Sequence, residues 1–332
     1  MPIVPLYPLT FKPILKSLIW GGRRLGNILH KAIGPGDTYA ESWEISDHGE
    51  DVSRVNAGPL AGTGLRTLIH ESGNDLLGKG RSRVKPDQFP LLVKFLDAND
   101  VLSVQVHPDD VLGRRLANDN GKTETWVIVH AEPGSLIYAG LKTGVDRKKF
   151  AEALASNAVE PLLHRFDAKA GDCIMIPAGT VHAIGAGVVL AEIQQMSDAT
   201  FRVYDWGRVG PDGKPRQLHI AQALEATDFD AGPVSPISPI AINLPDGVGT
   251  RERLSRCDYF ALERLRIRQP TRIGAADRFT IVIGLGGEAD LCYEQERTPI
   301  ALGRTVLIPA SVGLCDVEPR SGEVALLTCI VP

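Results

Sequence analysis

Residues 171–187 read GDCIMIPAGTVHAIGAG. Within them IMIP is a short buried strand that stops at Pro177, because proline has no N–H to donate to a continuing ladder. Gly179 permits a tight turn. If the chain re-enters as a strand, period-two alternation puts His182 on the face of Thr180 and opposite Val181. A lone histidine on such a face is most often a satisfied interior residue, so any further role requires partners elsewhere in the chain.

The 332 residues suffice for two domains of ordinary size. Apolar residues make up 43% and charged residues 23%, the balance of a folded soluble protein. A formal net charge of −4 gives no reason to expect nucleic acid or an anionic membrane as partner. The opening MPIVPLYPLTFKPILKSLIW lacks the basic start and unbroken apolar core of a secretory leader, and no segment approaches the roughly 20 apolar residues of a membrane span. We therefore expect a cytoplasmic protein with no membrane partner. Five scattered cysteines without a CxxC pair read as reduced core residues.

The 34 glycines and 23 prolines punctuate short runs rich in Val, Ile and Leu, the pattern of many short strands joined by turns. Helical signals are few. Residues 143–166 carry Phe150, Leu154 and Val159 on one face, residues 215–226 form a second candidate, and residues 14–29 suggest a third, broken by glycines. One comparison within the chain says more. GDCIMIPAGTVH at 171–182 and GRTVLIPASVGL at 303–314 share glycine, proline and alanine in step, preceded by WVIVHAEPGSLIY at 126–138 and TIVIGLGGEADLCY at 280–293. Two related β units follow, 1–232 and 233–332, with a linker inside 230–240. Leu314 stands where the first copy has His182, so the chemistry belongs to the first unit and the second supports or covers it.

The spacing G-x5-P-x-G-x2-H at Gly171, Pro177, Gly179 and His182 resembles the second motif of the cupin barrels, which implies a mainly β fold of two cupin-like jelly-roll β-barrels with a few helices. Partners for His182 lie in LLVKFLDANDVLSVQVHPDD, residues 91–110. Gln105 and His107, two apart on a β-rich run, leave one face while Val104 and Val106 leave the other. Glu124 opens the next strand in GKTETWVIV. Two imidazoles, a carboxylate and an amide oxygen suit a zinc-like divalent ion, and iron or manganese accept a similar set. Lys94 sits inside an apolar run, where it either pairs with Asp97 or reaches a cavity. Lys122 shares the face of Glu124. In VVLAEIQQMSDATFRVYDWGR, residues 188–208, Glu192 follows an apolar strand. Arg202 alternates away from Phe201 and Val203, toward Asp198 or Asp205, or toward an anionic ligand.

Taken together, WGGRRL at 20–25, ESWEIS at 41–46, LLVKFLDANDVLSVQVHPDD, GKTETWVIV, PAGTVHAIG and EIQQMSDATFRVYDWGR resemble the type I phosphomannose isomerases in their short bacterial form. The resemblance implies a zinc-dependent aldose-ketose isomerase acting on a small sugar phosphate, mannose 6-phosphate, through a cis-enediol. It implies zinc ligands at Gln105, His107, Glu124 and His182, one ion per chain, and an active-site arginine at Arg202. Lys94 and Lys122 match substrate-pocket lysines, and Glu192 and Asp198 match acidic residues near the pocket. A histidine that some members carry before the second lysine is Gly121 here, so its role does not transfer. Two other readings are an iron or manganese cupin acting on another small molecule, and a sugar-phosphate-binding protein without catalysis. The sequence leaves the oligomeric state open.

Overall fold

LLVKFLDA and VVLAEIQQ bury every residue they contain, and the layering of the molecule explains why such continuous apolar runs exist. The computed structural model describes residues 5–82, 85–210 and 213–332. Met1 to Val4 of the proline-rich opening lie outside the described residues. The first part of the chain supplies β1 (Ile14–Gly22), α1 (Arg24–Asn27), β2 (Tyr39–Ile45), β3 (Asp47–His48), β4 (Asp51–Val52), α2 (Leu65–Leu77), β5 (Leu91–Ala98), β6 (Val104–Val106) and α3 (Asp110–Ala117). Next come β7 (Glu124–Ala131), β8 (Leu136–Leu141), α4 (Arg147–Ala155), β9 (Leu163–Asp167), β10 (Cys173–Ile176), β11 (His182–Ile184), β12 (Val188–Gln195), β13 (Phe201–Tyr204) and α5 (Ile220–Ala226). The rest supplies β14 (Ile240–Asn243), β15 (Gly249–Arg256), β16 (Ala261–Ile267), β17 (Thr271–Gly274), β18 (Thr280–Tyr293), β19 (Glu296–Ala301), β20 (Thr305–Ile308) and β21 (Leu314–Ile330).

The chain is mainly β and carries a cupin domain. One sheet runs β1-β2-β5-β12-β7-β10, a second β13-β6-β11-β8-β9, and the strands from β14 onward form a third. The pairings are antiparallel. One face of the first sheet packs on the second sheet through Leu96, Trp126, Ile128, Ile137, Ile176 and Leu190. Its other face packs on the third sheet, where Val93, Phe95, Val127 and Ile193 share a core with Leu262, Phe279, Ile281 and Leu327. A sheet covered on both sides has no solvent face, so its central strands cannot alternate apolar with polar. Pro177 ends β10, and Gly179 turns the chain at φ +88°, where an added Cβ would stand 3.0 Å from Asp228.

The helical expectations need correction. Residues 143–166 hold an α-helix only over Arg147–Ala155, followed by a single 3-10 turn at Glu160–Leu162. Asp146 caps its start by accepting from Lys149 N–H, Asn157 turns to φ +54° just past its end, and β9 begins at Leu163. Phe150, Leu154 and Val159 are buried as their spacing implied. Residues 14–29 form β1 and only one helical turn, because the run pairs along β2 before Gly22. The second candidate shortens to α5, Ile220–Ala226.

Because the core between the first and third sheets belongs to both parts of the chain, damage on one side propagates to the other. Phe260→Ala, at a fully buried position in that core, should cost about 3–5 kcal/mol. Denaturant unfolding followed by tryptophan fluorescence, which reports the first part, should shift along with the whole transition.

Candidate active site

Val104 and Val106 anchor β6 in the core, which leaves Gln105 between them pointing the other way. Gln105 pairs in register with His182 of β11 on one side and with Arg202 of β13 on the other. Three strands thus bring an amide, an imidazole and a guanidinium into one row. His107 follows β6, and Glu124 opens β7 opposite Ile176 of β10.

Glu124 meets both histidines. Its Oε2 lies 3.5 Å from His107 Nε2 and its Oε1 3.5 Å from His182 Nε2. The ligand-type atoms of the three residues all fall within 4.8 Å of one another, and all three residues are fully buried. Gln105 Nε2 stands 3.3 Å from His182 Nε2, so rotating the amide would present Oε1 to the same point. His107 Nδ1 donates to Ala199 O at 2.8 Å and His182 Nδ1 to Thr180 O at 2.9 Å. A proton held on Nδ1 leaves Nε2 with a bare lone pair, the tautomer a metal needs.

The electrostatics agree. Burial, and then His107, pushes His182 down to about 3, while burial and then Lys122 lowers His107, so both rings are neutral. Burial opposes ionisation of Glu124, yet the Lys122 ammonium 3.1 Å away holds its carboxyl well below the usual range. His107 Nε2 and both Glu124 oxygens make no hydrogen bond although they are buried. Each such orphan costs about 1–3 kcal/mol, and a divalent cation coordinated by two imidazoles, a carboxylate and an amide oxygen would satisfy them together. The residues fit a metal.

A charged layer lies over this cluster. Lys122 Nζ is 3.1 Å from Glu124 Oε2 and 3.9 Å from Glu192 Oε1. Lys94 Nζ is 3.4 Å from Glu41 Oε2, 3.6 Å from Glu192 Oε1 and 4.9 Å above the Trp43 ring. The pairing with Asp97 considered for Lys94 does not form, because Arg24 takes that carboxylate. Trp43, Lys94, Glu192 and Trp126 form one cross-strand row over β2, β5, β12 and β7. Trp126 Nε1 donates to Glu192 Oε2 at 3.0 Å, while Glu192 Oε1 accepts no hydrogen bond. Burial, and then the charge of Glu124, pushes Glu192 up to about 7.

Arg202 bridges to neither Asp198 nor Asp205. Arg208 and Arg216 occupy Asp205 at 2.6 and 2.5 Å, and Arg202 donates instead to Ser103 Oγ at 3.2 Å and Gln217 O at 3.1 Å. Among the described residues no carboxylate stands within 4.0 Å of it. A cavity of about 410 Å³ is lined by Lys94, Gln105, Lys122, Glu192, Asp198 and Arg202, with Gln105 touching His182, Lys122 touching Glu124, and His107 joined to them through Glu124. All nine residues singled out in the sequence therefore meet in one place. The sequence reading missed Glu41, Trp43, Ser103, Trp126 and His48. The first two sit inside ESWEIS, which was the available signal. His48 lines the cavity, and its Nε2 lies 2.9 Å from Asp119 Oδ2, which also accepts from Asp198 N–H.

Residues 9–125 match the family model for the phosphomannose isomerase type I catalytic domain, and residues 250–328 that for the mannose-6-phosphate isomerase cupin domain. A mannose-6-phosphate isomerase of Streptococcus mutans is 33% identical over 305 residues, covering 92% of this chain and 93% of that protein. The chain belongs to the type I phosphomannose isomerase family. The isomerase also matches the crystal structure of the mannose 6-phosphate isomerase from Bacillus subtilis, with a TM-score of 0.88 and 30% identity over 98% of this chain and 99% of that one. A structure from Archaeoglobus fulgidus, described as a putative mannosephosphate isomerase, shares the fold at a TM-score of 0.76 and 20% identity, covering 99% of each chain. The first family model stops one residue past Glu124, so His182, Glu192, Asp198 and Arg202 join the site through the geometry above. No helix among the described residues is long and apolar enough to cross a membrane, and all five cysteines are free.

The hydrogen bond His48 donates to Asp119 raises His48 above its ordinary value, and burial, which opposes, is outweighed; Asp119, despite its burial, is lowered by His48 and by two backbone N–H groups. A raised histidine stabilises fully below its unfolded value of about 6.5 and loses that contribution as pH rises through the folded value. A lowered aspartate loses its contribution as pH falls from about 3.9. Asp119→Asn should therefore destabilise more at pH 6 than at pH 9. Urea unfolding of both proteins at the two pH values measures the difference, and an equal loss at both would show that the ion pair contributes nothing.

Proposed function

We propose that this isomerase interconverts mannose 6-phosphate and fructose 6-phosphate by moving a proton between C1 and C2 through a cis-enediol, with one zinc ion held by Gln105, His107, Glu124 and His182. The observation that carries the reading is the convergence of two bare Nε2 lone pairs and an unbonded buried carboxylate beneath a cavity rich in cations. A divalent cation bound there would supply Lewis acidity toward the carbonyl and hydroxyl oxygens of the sugar.

The remaining chemistry falls to the chain. Glu192 is the base: Trp126 fixes one of its oxygens and leaves the other free between Lys94 and Lys122. That oxygen takes the proton from C2 and returns it to C1, or the reverse. Among the described residues Arg202 is paired with no carboxylate, and it stands beside Gln105 in the strand register, so its charge is available to the enediolate oxygens as they become negative. Lys94, Lys122 and Asp198 bind substrate from the cavity wall, the lysines by charge and Asp198 by accepting from sugar hydroxyls. We assign these roles to a catalytic unit, residues 1–232, and a supporting role to residues 233–332, where no histidine aligns with His182.

A coupled assay with mannose 6-phosphate, run before and after chelation with zinc content measured on the same preparation, tests the reading. Activity should disappear with the metal and return with added zinc; activity indifferent to chelation would end the proposal. Arg202→Ala should keep its zinc and lose about 10²–10³ in kcat, and unchanged turnover would remove Arg202 from the mechanism. Glu192→Gln, which preserves the bond from Trp126, should lose about 10²–10⁴ in kcat with little change in KM.

A further inference from the structure

The second β unit keeps a cavity in the place where the first keeps its active site. In the first unit the row Trp43, Lys94, Glu192, Trp126 runs across four strands beneath the catalytic cavity. In the second, Arg256 of β15 pairs with Ala261 of β16, and Ala261 pairs with Ile330 of β21. Ile281 of β18 pairs with Cys329, so the antiparallel ladder places Thr280 beside Ile330. The internal repeat aligns Ile176 with Ile308, which face Glu124 and Thr280 respectively, so Thr280 occupies the place of Glu124, two residues along the strand from the catalytic row. Arg256, Ala261, Ile330 and Thr280 all line a cavity of about 250 Å³.

The chemistry of this second cavity has changed. Glu263 of β16 and Thr328 of β21 stand where the first unit has Lys94 and Glu192, and Leu314, half exposed, stands where His182 is buried. Among the described residues, metal-ligand geometry occurs only at His107, Glu124 and His182. The second cavity instead collects donors. Thr280 is 2% exposed, and its Oγ1 has no partner among the described residues. Arg251 Nε is buried without a hydrogen bond and reaches Glu263 only at 4.0 Å. Arg256 makes no ion pair among the described residues, and Arg272 at the wall is paired with Asp316 at 3.1 Å. Three arginines thus face one lining carboxylate, Glu263. Guanidinium and hydroxyl donors without acceptors ask for an oxyanion, and a phosphate offers three oxygens to a carboxylate's two. The small volume excludes a nucleotide-sized body and admits a compact one against Leu265 and Ile330.

We propose that this cavity is a second, non-catalytic site that binds a small phosphate-bearing molecule through Arg251, Arg256 and the Thr280 hydroxyl. The site stands apart from the metal ligands, and its existence does not depend on the catalytic roles assigned above.

Equilibrium dialysis of the full chain against radiolabelled inorganic phosphate tests it, comparing the wild type with Arg251→Gln/Arg256→Gln and with Thr280→Val. The double variant should bind one phosphate fewer per chain and retain wild-type turnover of mannose 6-phosphate at low phosphate. Equal stoichiometry in both proteins would overturn the proposal. Thr280→Val swaps an unsatisfied hydroxyl for a methyl of similar shape, so it folds at least as stably, and it should weaken phosphate binding at this site about tenfold. If the double variant fails to fold, unchanged affinity in Thr280→Val still overturns the site. Acetate at equal concentration should displace little of the label, and full displacement would overturn the assignment to phosphate.

Discussion

A single buried carboxylate organises this site. Glu124 lies between two imidazoles whose Nδ1 protons are committed to backbone carbonyls, so neither ring can neutralise it by donating from Nε2. Lys122 compensates its charge from one side only. What remains is a dry pocket of electron pairs, costly to any fold that left it empty of a cation. The same negative charge reaches upward: it raises Glu192, and Glu192 in turn helps hold Lys94 and Lys122 in the cavity wall. Removing Glu124 would take away the charge that raises Glu192.

The scaffold answers a second constraint. The clustered side chains from β6, β7 and β11 keep their spacing only if the two sheets cannot slide. The first sheet is clamped by apolar cores on both faces, one shared with the second sheet and one with the strands of the carboxy-terminal unit. The second unit thereby contributes rigidity to a site it does not touch. It keeps the ladder of the first unit with Glu263 and Thr328 in place of Lys94 and Glu192 and without a histidine at the place of His182, as two copies of one architecture do when their sites diverge.

Much of the site was legible because β structure exposes its logic locally. Gln105 and His107 share a face by period two, and Pro177 and Gly179 mark the turn that delivers His182. Helices were read less well: Asn157 at φ +54° and the pairing of β1 with β2 both override an apolar spacing that suits a helix. Trp126 escaped notice because an aromatic residue in an apolar strand looks like core, and it is core on one side while donating to Glu192 on the other.

The sequence by itself determined the residue types, their faces and the family to which they belong, since alternation, turn chemistry and motif spacing are properties of neighbours along the chain. Only the tertiary structure decided who meets whom. Gln105 and His182 are 77 residues apart, Trp126 and Glu192 66 apart, and Arg202 reaches Gln105 only because β13 pairs with β6 in one register. Lys94 turned to Glu41 and Glu192 and away from Asp97 for the same reason. Such register is fixed by cooperative packing of whole sheets, in which a slip of one residue would expose every buried side chain of a strand, and no short stretch of sequence contains that information.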